Sequence, residues 1–154
     1  MLETLFLKRM HISNGNMQKE KKPCTMTSVL IHGSIKCGNP NESNADCEGY
    51  IEIPTSLIGQ GDFFVLRAKG DSMLNAGIHN GDLLLVRYQS YADNGNVVVA
   101  EIDNEFTLKT FYKNDAERLI ILHPENQDYK DIVVKSCRII GVAEKIIKSI
   151  KEDH

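Results

Sequence analysis

The sequence has little net charge and no long apolar run, and each absence removes a class of function. Its 154 residues carry a net charge of −3 and the isoelectric point is near 5.9. No overall basic field is present of the kind that drives sequence-independent binding to nucleic acids. The apolar patch near the N-terminus is too short for a signal-peptide core or a membrane span. The sequence therefore predicts a cytoplasmic protein in which any contact with DNA is local.

Cysteine is present but lacks the spacing of a disulfide framework or a metal site. The four cysteines are Cys24, Cys37, Cys47 and Cys137, and no two of them form a CxxC pair. Their spacing to the five histidines also matches no zinc pattern. In a reducing compartment we therefore expect free thiols and no metal.

Short runs of β-branched and aromatic residues, separated by turn-forming residues, dominate the chain after residue 50. Such runs predict strands joined by short turns, and hence a mostly β domain. A short helix is expected directly after Ser72. Upstream, the stretch GNPNESNADCEG is rich in Gly, Pro and Asn and is typical of a mobile loop. The predicted strands cover residues 63–69, 83–88, 97–102, 105–111, 118–122 and 138–149.

The dipeptide Asp103-Asn104 joins two of these strands and favours the positive φ angles of a two-residue hairpin turn. This register places Val98 opposite Lys109. Burial disfavours the charged form of lysine and lowers its pKa, which makes the neutral amine available as a general base. Because strand side chains alternate between faces, Lys109 then shares its face with Val98, Ala100, Thr107 and Phe111.

The stretch FVLRAKGDSMLNAGIHNGDLLLV sets a serine on a sharp corner between two apolar segments. A serine hydroxyl is a weak nucleophile unless a base lies beside it, and a Ser-Lys pair is one known solution. Gly70 permits a tight turn, and the backbone amides of Asp71 and Ser72 are candidates for stabilising an oxyanion. The pattern thus indicates Ser72 as a nucleophile with Lys109 as its base.

Each of these residues also has an ordinary structural interpretation. A lysine in a strand is usually solvated at an edge, and GDSM alone is compatible with a turn and a helix N-cap. Asp71 and Asp82 are interpreted as turn and cap residues rather than catalytic acids. His79 and His123 lie beside turns and are interpreted as structural. From the residue pattern alone, the catalytic and the structural interpretations both stay open.

Four blocks of the sequence, taken together, carry a resemblance to a known family. They are GDSMLNAGIHNGDLLLV, NGNVVVAEIDNEFTLK, LHPENQDYKDIVV and IIGVAEKII, in this order. They resemble the self-cleaving serine peptidase domain shared by LexA repressors, UmuD proteins and related phage repressors, over residues 31–150. The resemblance implies short antiparallel strands in a twisted, partly barrel-like sheet assembly. It also implies that Ser72 is the nucleophile and that Lys109, 37 residues further on, is its general base.

Members of this family cleave themselves at an Ala-Gly or Cys-Gly bond upstream of the nucleophile. The matching bond here is Cys37-Gly38, in HGSIKCGNP. Small residues suit a backbone that must enter a narrow cleft, although CGNP by itself is simply a turn. The resemblance divides the chain into a largely irregular, flexible N-terminal arm (1–30), a cleavage-site loop region (31–49) and a peptidase and dimerisation domain (50–151).

The resemblance also implies partners. The protein is expected to form a homodimer, to use its own cleavage loop as substrate and to need no metal or organic cofactor. In the family, a RecA filament on single-stranded DNA favours docking of the loop, which couples cleavage to DNA damage in the SOS response. Raised pH should act in the same direction, because it deprotonates Lys109 directly.

Members of this family differ in their biological role. LexA-type members carry a winged helix that binds operator DNA, whereas UmuD-type members serve an error-prone translesion polymerase after self-cleavage. The 37 residues up to the predicted scissile bond are too few for a winged helix, so direct operator binding is not expected. The Cys-Gly bond and the short N-terminal arm favour the UmuD type, whereas the later blocks favour the LexA type. We predict a LexA-like peptidase domain without the DNA-binding domain. A non-catalytic dimerisation module of a repressor is the third alternative.

Overall fold

The computed structural model describes residues 24–33 and 47–150, and within these ranges the chain is mostly β, as predicted. Helix α1 covers Thr55–Ile58 and a 3-10 helix covers Leu74–Ala76. Among the described residues, no helix has the length and apolar character needed to cross a membrane. The strands are β1 (Met26–His32), β2 (Cys47–Pro54), β3 (Phe63–Arg67), β4 (Leu83–Tyr88), β5 (Val97–Ile102), β6 (Glu105–Asn114), β7 (Leu119–His123), β8 (Ile132–Val134) and β9 (Arg138–Ile147).

The nine described strands form one sheet, in the order β2-β1-β3-β4-β9-β5-β6-β7-β8. Neighbours are antiparallel, except that β1 and β3 pair in parallel. The two outer strands of the described sheet, β2 and β8, do not pair with each other, so the sheet is not closed into a barrel. It is nevertheless curved, because β3 and β6 line one cleft although three strands separate them in the sheet order.

The hairpin of β5 and β6 has the register that its turn predicted. Asp103 and Asn104 have φ angles of 49° and 65°, in keeping with a two-residue turn of type I′. Val98 lies opposite Lys109, and Lys109 is only 9% exposed. The turn chemistry thus determines which face of β6 carries Lys109.

The described N-terminal residues contain more regular structure than the sequence predicted. β1 starts inside the expected irregular arm (1–30), and β2 starts inside the expected loop region (31–49). β1 pairs with β2 along its whole length, and Ile31 and His32 also pair with β3. Hydrogen bonds to other strands, rather than the local sequence, therefore order these residues. Residues 1–23, 34–46 and 151–154 lie outside the described ranges.

The core consists of apolar clusters, and one of them anchors the chain around Ser72. Ala68, before the serine, and Met73 and Ile78, after it, pack with Phe64 of β3 in this cluster. A second cluster consists of buried residues of β5, β6, β7 and β9. A third joins β1, β2 and α1 to β3 and β4. The serine turn is therefore fixed to the sheet on both sides.

The described cysteines are not paired. Cys24, Cys47 and Cys137 are free thiols. Burial raises the pKa of the Cys137 thiol. Cys37 lies outside the described ranges.

A methyl group at Gly141 is expected to destabilise the centre of the sheet. Gly141 is buried in β9, and a Cβ atom there would lie 2.5 Å from the Arg87 carbonyl oxygen and 2.6 Å from Val86 Cγ1. Because the backbone must move to relieve the first contact, Gly141→Ala is expected to lower the free energy of unfolding by about 1–3 kcal/mol. Urea unfolding at pH 7 measures it, and an unchanged midpoint would show that the strands can separate without cost.

Candidate active site

Ser72 lies in the connection between β3 and β4, on a turn that the local sequence makes sharp. Gly70 has a φ of 79°, a conformation that glycine adopts more readily than other residues. The Asn80 side-chain oxygen accepts a hydrogen bond from the Gly70 amide at 3.0 Å. After the serine, Met73 is buried and the 3-10 helix begins at Leu74. These contacts hold the half-buried Ser72 hydroxyl on the corner.

The structure brings Lys109 of β6 to Ser72. The Lys109 Nζ atom lies 3.3 Å from Ser72 Oγ, and it also donates to Thr107 Oγ1 at 2.7 Å and to the Leu108 carbonyl oxygen at 3.0 Å. Thr107 and Leu108 therefore engage two N–H groups and leave the third position of the nitrogen directed at the serine. In a neutral amine that position carries the lone pair. The role of Thr107 was not predicted from the sequence, although its alternation with Lys109 placed both on one face.

Burial lowers the pKa of Lys109 below its ordinary value of 10.5, because the ammonium form is desolvated. Among the described residues no carboxylate forms an ion pair with Lys109 that would counter this effect. A larger fraction of the amine is consequently neutral at a given pH than for an exposed lysine. The environment suits a group that must accept a proton.

A cleft of about 230 Å³ opens over the Ser72–Lys109 contact. The end of β3, the serine turn and β6 form its walls, and Gly33, directly after β1, also lines it. Its lining combines apolar side chains with a few convergent polar groups, which is typical of a binding site. The apolar members are Leu66, Ala68, Met73, Ile78, Val99, Phe106 and Leu108.

The backbone amides of Asp71 and Ser72 are available at this turn. Neither amide donates a hydrogen bond to an acceptor among the described residues. Two free N–H groups beside a nucleophile are what an oxyanion hole requires. Their role as oxyanion donors stays a prediction.

The loop of residues 124–131, between β7 and β8, contacts the serine turn and is here called the support loop. Asn126 Nδ2 donates to the Asp71 carbonyl oxygen at 2.8 Å, and the Tyr129 hydroxyl donates to Asp71 Oδ1. The Asn75 amide donates to the Glu125 carbonyl oxygen at 2.7 Å. Sequence reasoning missed these contacts, because no periodicity or local spacing joins residues 55 and 58 positions apart.

The remaining residues singled out from the sequence have structural partners or lie outside the described ranges. Asp82 accepts the His79 amide at 2.8 Å and the Lys148 amine at 2.6 Å, so it is a turn residue. His79 Nδ1 lies 2.9 Å from Lys148 Nζ, and His123 Nδ1 lies 2.6 Å from an Asp131 carboxylate oxygen at the base of the support loop. Cys37 and Gly38 lie in the segment that the structure does not describe. In the described part of the chain, no three His, Cys, Asp or Glu side chains are grouped to hold a metal ion.

Fold and site together indicate a class of protein. A serine hydroxyl 3.3 Å from a buried lysine amine, beside a cleft, is an arrangement found in hydrolases that use serine and lysine. Comparison with known proteins gives the family: the model of the Peptidase S24-like family matches residues 29–144. The chain belongs to this family.

Relatives in the curated proteins carry the name LexA repressor. The chain is 43% identical to the LexA repressor of Geotalea uraniireducens, over 81% of this chain and 63% of the relative. It is 39% identical to that of Syntrophomonas wolfei subsp. wolfei, over 80% of this chain and 59% of the relative. It is 41% identical to that of Geobacillus kaustophilus, over 84% of this chain and 63% of the relative. The chain thus matches about three fifths of the length of these relatives.

Proposed function

We propose that this chain is a self-cleaving serine endopeptidase that cuts its own Cys37-Gly38 bond. Ser72 is the nucleophile and Lys109 is the general base. The observation that carries the proposal is the 3.3 Å contact between Ser72 Oγ and a lysine amine that is buried without a carboxylate partner among the described residues. Such an amine loses its proton more readily than an exposed lysine, and a serine hydroxyl needs a base of this kind.

The proposed reaction has two steps. Neutral Lys109 takes the Ser72 proton while Oγ attacks the Cys37 carbonyl carbon. The proton then passes to the Gly38 nitrogen as the C–N bond breaks, which leaves an ester between Cys37 and Ser72. Lys109 next removes a proton from a water molecule, whose oxygen attacks the ester and releases the Cys37 carboxylate and the Ser72 hydroxyl. The Asp71 and Ser72 amides donate to the oxyanion in both steps.

We further propose that the cleavage serves the SOS response to DNA damage, as part of a LexA-type repressor system. The relatives named LexA repressor support this assignment, as do the sequence blocks around the site. In this proposal a RecA-type filament on single-stranded DNA favours docking of the cleavage segment, and the protein acts as a homodimer. A UmuD-type accessory role for a translesion polymerase is the second candidate, and the Cys37-Gly38 bond favours it.

Alkaline pH is expected to start self-cleavage in the purified protein without any partner. Each pH unit below the pKa of Lys109 reduces its neutral fraction about tenfold, so the rate should rise about tenfold per unit and then level off. Intact mass spectrometry at pH 7 and pH 10 should show fragments Met1–Cys37 and Gly38–His154 accumulating at the higher pH. An intact chain at both pH values, or scission at another bond, would contradict the proposal.

A further inference from the structure

We propose that Asn126 is a positioning residue that orients the Ser72 backbone amide toward the reacting carbonyl. This inference rests on the proposed function and extends it from the serine and lysine to the support loop. Asn126 itself touches neither Ser72 Oγ nor Lys109 Nζ in the hydrogen-bond pattern of the described residues; it acts through the Asp71 carbonyl group.

Planarity of the peptide bond between Asp71 and Ser72 connects the two residues. The carbonyl oxygen of Asp71 and the N–H of Ser72 belong to one rigid trans unit and point in opposite directions. Asn126 Nδ2 holds this oxygen at 2.8 Å, and the Leu74 amide approaches the same oxygen only at 3.4 Å. A bond on the carbonyl side therefore fixes the direction of the Ser72 N–H on the other side.

The Asn126 side chain is itself oriented by the support loop. Its Oδ1 atom accepts a hydrogen bond from the Asp128 amide at 3.0 Å. Because one end of the side-chain amide accepts this bond, the other end, the NH₂ group, faces Asp71. The Tyr129 hydroxyl adds a second contact on the Asp71 carboxylate, so the loop holds both the main chain and the side chain of Asp71.

The support loop is also anchored next to the proposed base. Glu125 Oε1 accepts a hydrogen bond from the hydroxyl of Thr110, which is buried and follows Lys109 in β6. The Glu125 carbonyl oxygen accepts the Asn75 amide on the serine side. One short loop thus ties the strand of Lys109 to the turn of Ser72, which is the geometry that a positioning element requires.

Two substitutions at Asn126 distinguish loss of its hydrogen bond to Asp71 from a change in the structure of the support loop. Asn126→Asp has the same shape and keeps an acceptor for the Asp128 amide, but it presents an oxygen instead of an N–H to the Asp71 carbonyl. Asn126→Ala removes the donor without adding a charge. Loss of one oxyanion donor costs about a hundredfold to a thousandfold in rate; misorienting it should cost about tenfold to a hundredfold.

The first measurement is the rate of self-cleavage against pH. We expect Asn126→Ala to lower the alkaline plateau and to leave the midpoint unchanged, because the midpoint reports the surroundings of Lys109. A substitution that merely loosened the fold would hydrate Lys109 and move the midpoint upward. Asn94→Asp is the matched control: Asn94 Oδ1 accepts the Lys113 amide at 2.8 Å, a bond that the aspartate keeps, and its rate should equal that of the unaltered protein.

The second measurement does not depend on the cleavage segment. A small fluorophosphonate reacts with an activated serine as a bond forms between Oγ and phosphorus, fluoride leaves and the base takes the serine proton. Intact mass should show one adduct on Ser72 in the unaltered protein and adduct formation about tenfold to a hundredfold slower in both Asn126 variants. If these variants fail to fold, Tyr129→Phe tests the positioning role instead. Its rate of adduct formation should be severalfold lower than that of the control Tyr91→Phe, whose ring is exposed.

The outcomes distinguish this inference from the proposed function. Asn126 variants that react with the fluorophosphonate as fast as the unaltered protein would overturn the positioning role. An unaltered protein that forms the Ser72 adduct but never self-cleaves would overturn the proposed function and leave the positioning role to be decided by the adduct rates. An unaltered protein that does neither would overturn both.

Discussion

Ser72→Ala is expected to abolish alkaline self-cleavage, with a loss of about a thousandfold or more in rate. Removal of a nucleophile leaves only what the rest of the site provides, and hydrolases that use a serine depend on it to this degree. The fold should survive, because the lost hydroxyl has one hydrogen-bond partner among the described residues, the Lys109 amine. Intact mass after incubation at pH 10 measures the effect.

The matched control for this variant is Ser90→Ala, since Ser90 is exposed and lies after β4, outside the cleft. Its cleavage rate should equal that of the unaltered protein. Scission of the Ser72→Ala variant at the same rate as the control would show that the bond is hydrolysed by alkali or by a contaminating protease, and the nucleophile would have to be sought elsewhere.

Lys109→Met is expected to abolish self-cleavage to a similar extent. Methionine occupies a comparable volume and keeps an unbranched side chain, so the substitution removes the amine with little change in packing. Without a base, the Ser72 hydroxyl remains a weak nucleophile at every pH. The rate of self-cleavage should therefore be low and independent of pH. A series of incubations between pH 7 and pH 10 would measure this.

The same substitution is expected to raise the free energy of unfolding at pH 7. Burial lowers the pKa of Lys109 in the folded protein below its ordinary value of 10.5, so between these two values the unfolded chain binds more protons. The stability of the lysine-containing protein must then rise with pH through this window. The gain in the free energy of unfolding from Lys109→Met should be greatest below the lowered pKa and should disappear as the pH approaches 10.5.

This stability comparison needs proteins that do not cleave themselves, so both should carry Ser72→Ala. Lys113→Met, in the same strand, is the matched control because the Lys113 side chain is 59% exposed and its amine lies 3.4 Å from Asp115 Oδ1, at the surface. The control should neither slow self-cleavage nor change the pH dependence of unfolding. A Lys109→Met variant that cleaves itself at the alkaline rate would exclude Lys109 as the base.

Sequence reasoning was most successful where local chemistry sets the geometry. The Asp103-Asn104 turn requires positive φ at both residues, and this alone fixed the register that places Lys109 opposite Val98. The same alternation predicted burial of Lys109, which is 9% exposed. The strands from β3 to β7, and β9, were also predicted, because each is a continuous run of β-branched or aromatic residues bounded by turn residues.

Elements ordered by distant partners were not predictable in the same way. β2, with the sequence CEGYIEIP, follows a polar stretch and contains a glycine and a proline, and β8 has only three residues. β1 is held by strands on both of its sides. Their order comes from pairing between residues far apart in sequence, which outweighs local preference.

In the candidate site, too, the local features were predictable and the distant contacts were not. The pattern indicated a serine on a corner and a lysine on an apolar face, but the 3.3 Å separation between them depends on how the sheet curves. The residue pattern paired Ser72 with Lys109 as one of two open interpretations, and the family resemblance then favoured the catalytic one. The contacts of Asn126 and Tyr129 with Asp71 have no signal in the spacing of residues, because side chains of the support loop make them with a turn that is distant in the sequence.

The pairing of β1 with β2 determines what a cut at Cys37-Gly38 does to the molecule. That bond lies in the chain that joins these two adjacent strands, so after cleavage β1 belongs to a separate polypeptide held by hydrogen bonds to β2 and β3. Before the cut, the connecting chain keeps β1 near β2 at an effective concentration of about a millimolar. After the cut, the two fragments associate as separate molecules. Scission and departure are consequently separate events. The second is governed by dilution: the N-terminal fragment stays bound in concentrated solution and dissociates as the concentration falls.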